Sequence, residues 1–215
     1  MISETSEASG HLSESKNTIV LMAGVLFGWM AIVLTLATMG VFEFHPGEQP
    51  TATVFAIAIP LTLFAVAVVL SRGVRAALLS LDPILLVEFQ AWRILGGLFL
   101  AVYAFGHLPG LFAWPAGLGD IAVGVAAPFM AWKLRNDTHF LKSPRFRAFH
   151  YLGLLDFVIA VSIGVIARNE ITRLVGDVTS APMGELPLVL IPTFIVPMFI
   201  MLHLISLMQS GSARS

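Results

Sequence analysis

The sequence predicts an all-α, polytopic membrane protein with six transmembrane helices, and three observations carry that expectation. The 215-residue chain is 57% hydrophobic and only 12% charged. Its mean hydropathy is +0.89. Six apolar stretches, each long enough to cross a bilayer, fill most of it and leave no hydrophilic block large enough for a soluble catalytic domain. The expected organisation is a disordered cytoplasmic tail over residues 1–17, a six-helix membrane domain over 18–208 and a second cytoplasmic tail over 209–215.

The opening segment MISETSEASGHLSESK is rich in Ser and Glu and has no apolar surface to bury. The first span follows from Thr18 to Gly40, too long for a signal h-region and without a basic n-region before it. The second runs from about Thr53 to Leu70. Asp82-Pro83, an N-cap followed by proline at the first helical position, starts the third, which continues to about His107. The fourth is bounded by Trp114 and Trp132, one tryptophan for each interface. The fifth covers about Phe149 to Ile166, and the sixth about Leu186 to Met208, interrupted by Pro192 and Pro197.

Basic residues set the expected orientation. Arg72 and Arg75 lie between spans two and three, and Lys133, Arg135, Lys142, Arg145 and Arg147 between four and five, against only Arg168 and Arg173 in the loops of the other side. By the positive-inside rule both termini are cytoplasmic, and the loops with Glu43, His45, Glu48, Glu170 and Asp177 face outward.

Three spans carry a charge in mid-course: Arg93, Asp120 and Asp156. A charge at bilayer depth costs roughly 2.5–3.5 kcal/mol even on the lenient insertion scale, so it needs a partner or water. Helical spacing puts each on a stripe of small residues: Gln90, Arg93, Gly97, Ala101 and Ala104; Gly117, Asp120, Gly124, Ala127 and Ala131; His150, Gly153, Asp156, Ala160 and Gly164. Small residues let membrane helices approach, so the charges are expected between helices and away from lipid. At about 1.5 Å per residue Arg93 lies roughly 15 Å deep, Asp156 roughly 13 Å and Asp120 roughly 20 Å. Arg93 therefore pairs with Asp156, and Asp120 joins from further out. One cation and two anions do not balance, so either His150 is protonated or one aspartate holds a proton, Asp120 being the better candidate.

FQAWRILGGL at 89–98 is similar to FRAFHYLGLL at 146–155, and Leu108-Pro109 and Leu186-Pro187 open the spans that follow. The pattern fits a duplicated helical hairpin, spans three and four against five and six, with Arg93 and His150 equivalent.

Three functional classes follow. The first is a small-solute or proton-coupled permease, with Arg93, Asp120, Asp156, Glu88 and His150 binding substrate or protons. The second is a non-catalytic membrane subunit or accessory protein whose charges only hold the bundle together. The third is a haem- or metal-binding membrane protein with His150 and His203 as ligands. No cofactor is otherwise called for. The partners expected are the bilayer and a small solute or proton, and a net charge of −1 without a basic aromatic patch excludes nucleic acid. An enzyme is disfavoured: soluble-enzyme motifs are missing, the chain has no cysteine, and Arg93 beside Asp120 and Asp156 would keep an aspartyl pair from sharing a proton.

LPGLFAWPAGLGD at 108–120, with Arg93-Ile94-Leu95-Gly96 upstream, resembles a pattern in small uncharacterised bacterial multi-span proteins. The resemblance implies a bacterial inner-membrane location and no activity.

Overall fold

The computed structural model describes residues 2–45, 48–167 and 178–212, with side chains from Val20 onward. Among these residues the chain is helical and contains no strand. α1 is Ile2–Thr38, α2 Thr51–Leu70 and the short α3 Arg72–Leu79. α4, Pro83–Phe89, runs into a 3-10 helix over Gln90–Gly97 and on into α5, Leu98–Ala104. α6 is Gly110–Asn136 and α7 Pro144–Ile166, and a π-helical turn at Ile191–Ile195 leads into α8, Val196–Ser212. Six helical stretches are long and apolar enough to cross a membrane: Val20–Thr38, Thr51–Leu70, Pro83–Ala104, Gly110–Asn136, Pro144–Ile166 and Ile191–Ser212.

These are the six expected stretches with their ends moved by local chemistry. Asp82 caps α4 by accepting from the Ile84 amide at 2.8 Å, with Pro83 behind it. Ser143 does the same for α7 through the Phe146 amide, which starts that helix at Pro144, ahead of the expected Phe149. The sixth stretch begins later than expected because Leu186 lies in a turn, and the π-helical turn contains Pro192.

Both tails differ from expectation. The backbone is helical from Ile2, because no proline interrupts the chain before Pro46 and a helix already nucleated by the apolar span propagates at low cost. At the other end the helix continues to Ser212, held where the Gln209 amide donates to the carbonyls of Leu81 at 2.7 Å and Leu79 at 3.3 Å. Arg168, Glu170, Arg173, Asp177 and residues 213–215 lie outside the described residues.

α6 is the central helix. It packs on the α4, 3-10 and α5 stretch on one side and on α7 on the other, and α8 closes the ring by packing on α7, α4 and α2. α1 leans on the π-helical turn, where Trp29 lies tilted against Phe194 with ring centroids 4.6 Å apart. Arg72, Arg75, Lys133, Arg135, Lys142, Arg145 and Arg147 all flank one end of the bundle, the basic end. The opposite end carries Phe44, Pro50, Ser180 and Met183.

The expected small-residue stripes hold on α6 and α7, where every member is buried or half-buried. On the third stretch the stripe is different. The inward face is Val87, Gln90, Arg93, Gly96 and Phe99, while Ala101 and Ala104 are exposed. A 3-10 helix has three residues per turn, so steps of three stay on one face where an α-helix would need steps of three and four.

Candidate functional site

Arg93, 2% exposed, lies where four helical elements meet. Its guanidinium donates from Nε to Asp120 Oδ1 on α6 at 2.7 Å and from Nη2 to Asp156 Oδ2 on α7. Nη1 donates to the Gly153 carbonyl at 3.3 Å and faces His203 Nε2 on α8 at 3.2 Å. Cζ sits 3.9 Å from the centroid of the Phe157 ring, so the cation is also covered by an aromatic face. Both aspartates touch Arg93 directly. The expected arrangement, with Asp120 one turn further out, is corrected by the 3-10 segment, which brings Gly96 against Asp120 and Gly97 against Ile121 of α6.

Glycines make room for each partner. A Cβ on Gly96 would collide with the Asp120 carboxyl, one on Gly119 with Asp156 Oδ1, and one on Gly153 with His203 Nε2. On Gly124 it would stand 2.5 Å from the Ile94 amide nitrogen, so α6 touches the 3-10 backbone itself.

The hydrogen bonds have a direction. A guanidinium has only donors, so His203 Nε2 accepts from Arg93 and the His203 proton is on Nδ1. That proton points at His150 Nδ1, 2.7 Å away. His150 then carries its proton on Nε2, which is buried without a partner. Both amide atoms of the fully buried Gln90, one 3-10 turn from Arg93 toward the basic end, are also unpartnered. This chain leaves no room for a protonated His150, because two N–H groups would then face each other at Nδ1.

The other expected site residues divide as follows. His203, expected as a haem or metal ligand or as a relay group beside the charges, is part of the centre. Glu88 is not: it pairs with Arg135 near the surface of the basic end. A metal shared by His150 and His203 is disfavoured, since two nitrogens at about 2.0–2.1 Å from one ion would stand about 3.3 Å apart. The observed 2.7 Å is a hydrogen bond. Among the described residues no group of three or more His, Cys, Asp or Glu is placed to hold a metal ion.

A cavity with about 80 Å³ of space for water-sized molecules lies toward the end opposite the basic one. Its walls come from Phe44, Pro50 and Thr53 beside α2, Phe99 and Phe112, and the outer turns of α7 and α8. Asp120 and Phe157 line it as well, and Asp120 is its one charged wall residue among those described. Phe157 stands between the cavity and Arg93. No sequence signal marked Phe157 or this cavity, and the stripe read for this span, through Gly117 and Gly124, passed over Gly119, whose missing Cβ makes room for Asp156.

No curated protein and no solved structure matches the chain. A family model, described as a domain of unknown function, matches residues 50–209, from the start of α2 to the last turn of α8 and therefore the whole Arg93 centre. The chain belongs to this family, DUF8737.

Proposed function

We propose that the protein is a multi-pass protein of a bacterial inner membrane that passes protons or a small solute by way of the Arg93–Asp120–Asp156 centre. The observation that carries this reading is the cavity: Asp120, a carboxylate of the charge cluster, lines a cavity toward one end of the bundle and so is not sealed on every side by protein. With one cation and two carboxylates, a proton exchanged at Asp120 would balance the cluster. Membrane insertion is supported by α1 and α2, of whose span residues only 11% and 6% are buried, an apolar exposure that suits lipid and not water. The LPGLFAWPAGLGD resemblance supports the bacterial inner membrane.

The test is flux in reconstituted vesicles. Wild-type protein should dissipate a proton gradient or admit a small solute, and Asp120→Asn should keep the helical fold while reducing that flux at least tenfold. No flux in wild type, or full flux in Asp120→Asn, sinks the passage reading. The accessory-subunit reading would then stand, and the sealing of Arg93 behind Phe157 and four polar partners favours it as the second choice.

The basic end is proposed as cytoplasmic, with both termini on that side. The chain has no cysteine, so single introduced thiols report directly. In intact cells a membrane-impermeant maleimide should label Glu43→Cys and spare Asp137→Cys. The reverse pattern would invert the topology.

A further inference from the structure

We propose that the species passed is the proton, resting on the passage reading, and that His203 and His150 carry it from the carboxylates toward the basic end. The ring nitrogens are already arranged for that step. His203 Nδ1 donates to His150 Nδ1 at 2.7 Å, and the next N–H in line, on His150 Nε2, is buried without a partner. Gln90 stands at nearly the same height. It lies three 3-10 residues, about 6 Å, below Arg93, while His150 lies three α residues, about 4.5 Å, below Gly153, whose carbonyl Arg93 meets. Both Gln90 amide atoms are unpartnered as well, and the residue is fully buried. Unpaired polar atoms gathered in one layer fit an internal water, which satisfies roughly two to four such groups.

α8 continues the line beyond His203. Ser206, Gln209 and Ser210 follow at helical spacing toward the basic end, all buried, and Gln209 Oε1 and Ser210 Oγ are unpartnered. Gln209 also lines a pocket at that end with about 290 Å³ of space for water-sized molecules, whose wall includes the exposed Ser212. None of Gln90, His150, His203, Ser206, Gln209 and Ser210 is more than 6% exposed, which suits a hopping proton and not a solute body.

The transfer balances and leaves no charge on either ring. A proton from the carboxylate pair bonds to His203 Nε2 when Arg93 Nη1 swings off it. Nη1 is the arm that can yield, since its contacts at 3.2 and 3.3 Å are longer than the 2.7 Å bond from Nε. The His203 Nδ1–H bond then breaks as an Nδ1–H bond forms on His150, and the His150 Nε2 proton leaves to the water beside Gln90. Each ring gains one proton and loses one, and ring rotation restores the starting tautomers.

Vesicles holding a trapped pH dye measure proton flux per folded protein for wild type, Gln90→Leu and His150→Phe. Wild type should pass protons. Gln90→Leu, similar in size and free of the unpaired amide, should keep or raise the melting temperature while losing at least tenfold in flux. A merely structural Gln90 would move stability and leave flux alone. His150→Phe should show the same loss of flux, and if it does not fold, Gln90→Leu decides by itself. Full proton flux in Gln90→Leu overturns the proposal and leaves the passage reading standing, as does solute flux without proton flux in wild type. No flux of either kind in wild type sinks both.

Discussion

Arg93→Leu should cost the detergent-solubilised protein about 3–5 kcal/mol, because it leaves two carboxylates facing each other at the centre of the bundle without their counter-ion. The loss should be largely recovered when the carboxylates go too. Arg93→Leu with Asp156→Leu should be more stable than Arg93→Leu alone, and so should Arg93→Leu with Asp120→Leu, while either aspartate change by itself should destabilise. Thermal unfolding of the six proteins, wild type included, measures the coupling directly. Simple addition of the single-mutant losses would mean that the three charges do not act as a unit.

Gly124→Val should be among the most damaging changes that touch no charge. Its Cβ would stand 2.5 Å from the Ile94 amide nitrogen and 3.0 Å from the Ile94 Cα, and backbone atoms cannot swing aside as a side chain can. α6 would have to move off the 3-10 segment, at a cost of about 1–3 kcal/mol or more. The same substitution at Gly28, where a Cβ meets nothing within 4 Å, should be close to neutral. If both variants melt together, the α6 contact is not the tight point of the bundle.

How much of this was legible from the residues depended on how local the signal was. Hydropathy over about twenty residues is a property of each stretch alone, so all six membrane-length helices were readable. The stripes on α6 and α7 were readable too, since both helices keep α periodicity from end to end. The third stretch defeated the same reasoning at Ala101 and Ala104, which are exposed, because nothing in QAWRILGG announces a 3-10 helix. His203 was visible as a candidate ligand or relay group, but not as a partner of Arg93: that link spans 110 positions and depends on the Gly153 gap, which lets α8 close on α7. Glu88 was misplaced for the opposite reason. It lies five positions from Arg93, and proximity in sequence suggested a shared site, but Arg135 at the end of α6 holds it at the surface.

The eight tightened residues at Gln90–Gly97 also make the third helix a screw. Over that length a 3-10 helix turns about 160° further than an α-helix and is about 4 Å longer. Relaxation to α geometry would rotate one half of the rod against the other by nearly half a turn and shorten it. Arg93 and Phe99 share a face only in the tightened form, one gripping both carboxylates and the other standing in the cavity wall. Any unwinding of this one segment would therefore change the grip on the charges and the shape of the chamber beside them together.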